Sequence, residues 1–265
     1  VRVLVTGAAG SIGRVVTAGL VDLGHDVVGL DLVPAPDGTP FAWHEADCAD
    51  ADAVEAAFAA QPLDAVVHLA GIPREASLPD ELTSHVVTTA ALLDAMVGHD
   101  VPRVVYASSN HAVGRTPRAD GELSVQALPR ADTYYGVAKV AAEALLQLFS
   151  DRHGLDVVAC RIGSFLEEPT SVRSLSTWLS HGDCVRMVEA ALTTPAPGYA
   201  VLYGISANTR AWWDLEPGRR LGYEPQDDAE AHAGRVEPGP HDDAEAEYVG
   251  GPYATAEAVR PALGD

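Results

Sequence analysis

The chain is short of several things, and each shortage narrows what it can be. Three cysteines occur in 265 residues, Cys48, Cys160 and Cys184, widely spaced and with no CxxC pair. So sparse and odd a set builds neither a disulfide framework nor a zinc cage, and no metal site is expected. All three read as small apolar residues of a core. Basic residues number 17 against 38 acidic ones, a formal net charge of −21. Such a chain is repelled by nucleic acid and by anionic membranes. No apolar run reaches the roughly 18 residues that would suggest a membrane span. The first residues already read as strand and glycine turn, which leaves no room for a signal peptide, and a cytoplasmic protein is expected. There is no internal repeat and no long disordered linker. What remains, at 47% apolar residues, suffices for a single domain over 1–265 with a full α/β core.

The richest stretch is Val1 to Gly13, VRVLVTGAAGSIG. A mostly β-branched run enters Thr6-Gly7, and Gly7, Gly10 and Gly13 recur at a fixed spacing. Apolar residues then follow at helical spacing from Ile12 through Val15, Val16, Leu20 and Leu23. Strand, tight turn and helix in this order suit a pyrophosphate. Glycine lets the backbone turn with positive φ and lets phosphates approach closely. The helix start offers unpaired N–H groups and the positive end of its dipole.

A second strand, Asp26 to Asp31, ends in an acid. A carboxylate there accepts both ribose hydroxyls of an adenosine and repels a 2′-phosphate, which favours NAD over NADP. Phe41–Ala46 reads as a third strand, followed by a helix from about Asp50 to Ala60. Asp47 either caps that helix or sits near the adenine, and capping is the expectation. Strand four runs from Asp64 to Gly71, with His68 as a core histidine. A helix over 80–98, strand Arg103–Ser109, a polar loop over 110–132, a helix over 134–152 and strand Asp156–Arg161 follow. The regular alternation predicts a Rossmann-type, doubly wound parallel sheet with ligands at the carboxyl ends of its strands. Gly7, Asp31, Gly71, Ser109 and Gly163 all fall at such ends. Residues 1–163 thus read as the dinucleotide-binding core and 164–265 as a small, loop-rich substrate lobe. That lobe should hold a loop over 164–180, a helix over 183–193, a returning strand at about 199–205 and a helix over 210–221.

Tyr135 and Lys139 stand four apart at the start of a helix and so share a face. A free phenol, with a pKa of about 10, is a poor base. An ammonium ~4 Å away is worth up to about 4 kcal/mol at an effective dielectric of 20. That should lower the phenol by up to roughly three units. Tyr135 could then take a hydroxyl proton while hydride leaves the same carbon, with Ser109 holding the reacting oxygen.

Glycine turn, strand-end acid, Ser108-Ser109 and Tyr-x-x-x-Lys, in that order, resemble the extended short-chain dehydrogenase/reductases, with TGxxGxxG at 6–13. A narrower set of segments is similar to bacterial uronate dehydrogenases: Ala107–Gly114, Arg161–Ser164, Arg173–Trp178 and Tyr203–Asn208 followed by Trp212-Trp213. The resemblance implies NAD-dependent oxidation of the anomeric carbon of galacturonate or glucuronate to an aldarolactone. It implies Ser109, Tyr135 and Lys139 as catalytic residues. NAD would be held by Gly7, Gly10, Ser11, Ile12, Gly13, Asp31 and Asp47 on one side. Leu69, Ala70, Gly71, Tyr135, Lys139 and Ile162 would hold it on the other. Asn110, His111 and Ser164 would contact sugar hydroxyls beside Ser109 and Tyr135, and Arg173 would pair with the substrate carboxylate. A planar guanidinium grips a carboxylate through two parallel hydrogen bonds. The resemblance also implies a homo-oligomer. Two departures stand out. Pro73 occupies a position where these enzymes tend to have a sugar-contacting serine, and His85 one usually held by asparagine. Gly250-Gly251-Pro252-Tyr253 could match an aromatic that closes the sugar pocket. The rivals are a C1 dehydrogenase of a hexose phosphate, with Arg74 serving the phosphate, or of a neutral aldose, and a non-catalytic dinucleotide sensor.

Overall fold

The computed structural model describes residues 1–255; the part of the expected C-terminal lobe over 256–265 lies outside the described residues. Strands β1 (Arg2–Thr6), β2 (Asp26–Asp31), β3 (Ala42–Glu45), β4 (Ala65–His68), β5 (Arg103–Ser109) and β6 (Asp156–Ile162) join one sheet with β9 (Tyr199–Gly204). Its seven strands run in the order β3-β2-β1-β4-β5-β6-β9, and every pairing is parallel. The sequence order therefore reverses between β1 and β4, which opens a crevice above their carboxyl ends.

The strand period of two divides the core into two layers. Val3 and Val5 of β1 and Ala65 and Val67 of β4 face α1 (Ser11–Asp22) and α7 (His181–Thr193), with Val16, Leu20, Met187 and Val188. Leu4 and Val66 face the other way, onto α2 (Ala51–Ala59), α4 (Thr88–Gly98) and α5 (Tyr134–His153), with Phe58, Leu92, Met96 and Leu146. All three cysteines are buried and free. His68 is 1% exposed and bonded to the Thr6 and Thr89 hydroxyls at 2.7 and 3.2 Å.

Three local expectations are corrected and a fourth is refined. Asp50, not Asp47, caps α2: its carboxylate accepts from the N–H groups of Asp52 and Ala53, whereas Asp47 closes a turn with Ala49. The helix expected over 80–98 forms, over 78–98, with one wide turn inside it. A short α3 (Leu78–Leu82) passes into one wide turn at Thr83–Val87 before α4 begins. The stretch 164–180 is more than a loop, since β7 (Ser164–Phe165) pairs with β8 (Trp178–Leu179) around α6 (Ser174–Thr177). Of the helix expected over 210–221, only α8 (Glu216–Arg220) forms. Ahead of it the backbone is tied crosswise, Leu123 N–H to Trp212 O and Asp214 N–H to Leu123 O. Two more helical pieces, α9 (Asp242–Glu245) and a single turn at Gly251–Ala254, bring the chain back over the end of β5. Among the described residues no helix is long and apolar enough to cross a membrane.

Candidate active site

Above the reversal point lies a cleft of about 720 Å³. Its wall contains Gly7, Gly10, Ser11, Ile12, Gly13, Asp31, Asp47, Leu69, Ala70 and Gly71, ten of the positions expected to meet a dinucleotide. Gly7 has φ +69°. A Cβ on Gly13 would lie 2.1 Å from the Gly7 carbonyl oxygen, so the turn closes only without a side chain there. No side chain caps α1 at Gly10, and a helix's first N–H groups have no partner within the helix. They border the cleft, which is the arrangement a pyrophosphate needs. The Asp31 carboxylate accepts from Ala9 N–H at 2.9 Å and stands at the tip of β2 with acceptor capacity left for hydroxyls. These features fit a dinucleotide with an unphosphorylated ribose. Pro73 and Arg74 line the same cleft, as do Leu32 and Val33. The last two are large apolar side chains left exposed beside Asp31. Ile162, Tyr135 and Lys139 are not in this wall; they lie where β5, β6 and α5 converge.

The start of α5 is fixed from two sides. Thr133 caps it through Gly136 N–H at 2.9 Å. Glu75 reaches over from the loop after β4 and accepts from the N–H groups of Tyr134 and Tyr135 at 2.8 and 3.0 Å. Tyr135 is thereby held beside Ser109, the last residue of β5, whose hydroxyl accepts from His111 N–H at 3.2 Å. One turn further on, Lys139 is 4% exposed. Its ammonium donates to the Ala107 carbonyl at 2.7 Å and lies 5.3 Å from the centre of the Tyr135 ring. It is also the chain's single lysine.

The electrostatics here correct the expectation of an acidified phenol. Burial pushes Tyr135 up to about 12, and the opposing pull of the Ser109 hydroxyl is smaller. The same burial brings Lys139 down to about 7. In a dry site both charged forms lose solvation, and that cost exceeds what one ammonium returns. Further positive charge has to enter the site before the phenol becomes a base.

On the other side of Ser109 stands a group of polar side chains. Arg173 donates to the Val249 carbonyl at 2.9 Å and to Ser164 Oγ at 3.4 Å. Asn110, with its amide turned to satisfy both neighbours, accepts from Arg173 at 3.0 Å and donates to the Ile162 carbonyl at 3.1 Å. Ser164 Oγ lies 2.9 Å from Thr177 Oγ1. The buried Arg173 Nε has no hydrogen-bond partner among the described residues. Burial lowers the Arg173 pKa, an effect that nearby Asp132 opposes. The Arg173 Nε is covered by the Gly251 backbone, where a Cβ would lie 2.2 Å away, and a half-buried guanidinium of this kind is a receptor for an anion.

His111 completes the group, with its Nδ1 2.9 Å from Asp132 Oδ2. The Asp132 side chain is fully buried, and it fits because Gly114 and Gly250 face it: a Cβ on either would lie 2.0 or 1.7 Å from Oδ2. An Nδ1–H donated to the carboxylate leaves Nε2 of neutral His111 as an acceptor. The Tyr253 ring stands edge-on to His111 at 5.0 Å between centres.

Asp132, Glu75 and the buried Glu81 and Glu143 are not singled out in the sequence, where they vanish among 38 acids. Glu143 takes Arg161 through both oxygens, at 3.0 and 2.8 Å, and Ser108 Oγ at 2.5 Å, bracing β5 and β6 behind the site. A cue for Glu143 was available: it stands four residues past Lys139 on the buried face of a helix.

The model of the NAD dependent epimerase/dehydratase family matches residues 3–166. The uronate dehydrogenase of Pseudomonas putida is 35% identical over 263 residues, covering 96% of this chain and 96% of its own. The crystal structure of uronate dehydrogenase from Agrobacterium tumefaciens matches with a TM-score of 0.89 at 36% identity, over 98% of each chain. A mutant of an Agrobacterium tumefaciens uronate dehydrogenase complexed with NAD matches with a TM-score of 0.88 at 37% identity, over 96% of each chain.

Proposed function

Because this chain belongs to the NAD dependent epimerase/dehydratase family, we propose that it binds NAD in the strand-end cleft and oxidises C1 of a free hexuronate, galacturonate or glucuronate, to the aldarolactone. The glycine turn and the first turn of α1 hold the pyrophosphate, Asp31 takes the ribose hydroxyls, and Leu32 and Val33 cover the adenine. When bound, NAD supplies a hydride acceptor and a positive ring beside Tyr135. That charge and the Lys139 ammonium together bring the phenol of Tyr135 within range of a general base. Tyr135 takes the proton of the C1 hydroxyl while Ser109 holds its oxygen. Loss of that proton and of one hydride leaves the lactone carbonyl, and the proton rests on Tyr135 Oη.

Arg173 binds the carboxylate at the far end of the sugar, and Asn110, His111 and Ser164 hold the hydroxyls between. Pro73 supplies no hydroxyl of its own on the cleft side. The observation that carries this reading is Arg173, a half-buried guanidinium grouped with Asn110 and Ser164 beyond the end of β5, in a chain of net charge −21.

Mixing the protein with NAD and either uronate should raise the absorbance of NADH. A flat trace from protein that binds NAD overturns the activity. Arg173→Ala should raise KM for the uronate about tenfold or more, the worth of a charged hydrogen bond, and leave turnover of a neutral hexose unchanged. Equal losses on both substrates overturn the role given to Arg173.

A further inference from the structure

Next to Tyr135, two buried ionisable groups take no part in the chemistry above. Glu81 ends α3 and is fully buried; His85 lies in the wide turn at Thr83–Val87 and is 2% exposed. Their side chains meet, with His85 Nε2 3.3 Å from Glu81 Oε2 and 3.1 Å from the Ile72 carbonyl. Glu81 Oε1 accepts from Ala76 N–H at 2.8 Å. Neither Glu81 Oε2 nor His85 Nδ1 has a hydrogen bond among the described residues. The His85 ring stands edge-on to Tyr135 at 5.2 Å between centres, against the ring that Lys139 also approaches.

Lys139 has an ammonium to balance in this dry place. Its direct partners are a neutral carbonyl and two aromatic rings, those of Tyr106 and Tyr135. A buried charge without a counter-ion gives up its proton. α3, which carries Glu81, and the wide turn, which carries His85, pack directly on α5, the helix that carries Lys139. We propose that Glu81, held by His85, is the counter-ion that keeps Lys139 charged, which makes the couple a positioning and charge-setting part of the catalytic site. It rests on the reading of Tyr135 and Lys139 given above.

The electrostatics support the geometry. Glu81 raises Lys139 against the burial that lowers it, with Glu143 acting in the same direction. Burial brings Glu81 itself up to about 7, opposed by Ala76 N–H and by Lys139 and reinforced by Glu75 and Asp80. His85, lowered by burial and by Lys139 and His68, stays neutral, with Nε2 on the Ile72 carbonyl and packed against Glu81 Oε2.

One lysine in the chain permits a direct test. Protein labelled with ε-15N lysine gives a single side-chain amine signal, to be titrated by NMR with and without NAD. Glu81→Gln should lower the Lys139 midpoint by about one unit or more, the effect of losing a near opposite charge, and Glu81→Asp should restore part of it. His85→Asn should shift the midpoint in the same direction, and the double variant no further than Glu81→Gln alone. Melting temperatures and NADH binding establish that each variant is folded. A Lys139 midpoint unmoved by Glu81→Gln in folded protein overturns the proposal, and so do single shifts that add in the double variant. Uronate turnover is measured on the same samples. A shifted midpoint without uronate turnover sinks the substrate reading and leaves the couple standing, and turnover with an unmoved midpoint does the reverse.

Discussion

Lys139 is held charged only against its surroundings: burial takes it from 10.5 to about 7. Between those values an unfolded chain binds a proton that the folded one has released, so this residue makes stability rise with pH. At pH about 7 and below, the native state carries the full penalty. Lys139→Met should therefore raise Tm at neutral pH by about 3 °C or more, with oxidation lost. The gap over the parent protein should close as the pH approaches about 10. Scanning calorimetry across that range reads both. A constant gap would mean that packing, not charge, separates the two proteins. Tyr135 and Lys139 are visible in the sequence because helical spacing alone puts them together. Asp132, Glu75 and Glu81 are not, because a carboxylate's partner is chosen by tertiary approach, and in an acid-rich chain any one of them reads as solvated.

At the level of elements, the glycine turn and the helix after it act as one part. Its tightness makes a specific prediction. Gly13→Ala sets a methyl 2.1 Å from the Gly7 carbonyl oxygen and 2.8 Å from Ala8. The turn must open, and NAD affinity should fall about a hundredfold by fluorescence titration with NADH, against a smaller change in Tm. Unchanged affinity would place the phosphates elsewhere. The strands are legible for a plain reason: runs of valine, leucine and isoleucine between helices can only be the buried middle of a parallel sheet. Breaks within helical stretches are not. The backbone of Thr83–Val87 stays helical and only its hydrogen bonding widens, which residue type does not announce. The stretch before α8 carries Trp212 and Trp213, which suggest a helix face, yet Trp213 packs into a small satellite core with Leu123, Tyr203 and Val249. Long-range hydrogen bonds there replace helical ones.

Across the whole molecule, a net charge of −21 opposes both an anionic sugar and an anionic cofactor. On the proposed function the site answers locally, with Arg173 for the sugar and helix N–H groups for the cofactor. Long-range repulsion is screened by salt and the contacts are not: the Debye length falls from about 30 Å at 0.01 M to about 8 Å at 0.15 M. KM for a uronate should thus fall about twofold or more over that range. KM for a neutral aldose, at saturating NAD, should stay level. Steady-state kinetics in a salt series decides it, and parallel curves would remove global charge from the account.

Asp132 touches two distant parts of the chain at once, the turn of His111 and Gly114 and the backbone at Gly250. Evolution cannot vary these sites one at a time. A lineage that keeps the carboxylate must keep both bare backbones opposite it, and one that trims it to a smaller residue is free to grow a side chain at either. Positions 114, 132 and 250 should therefore change in concert among descendants, and the histidine should drift once its acid is gone.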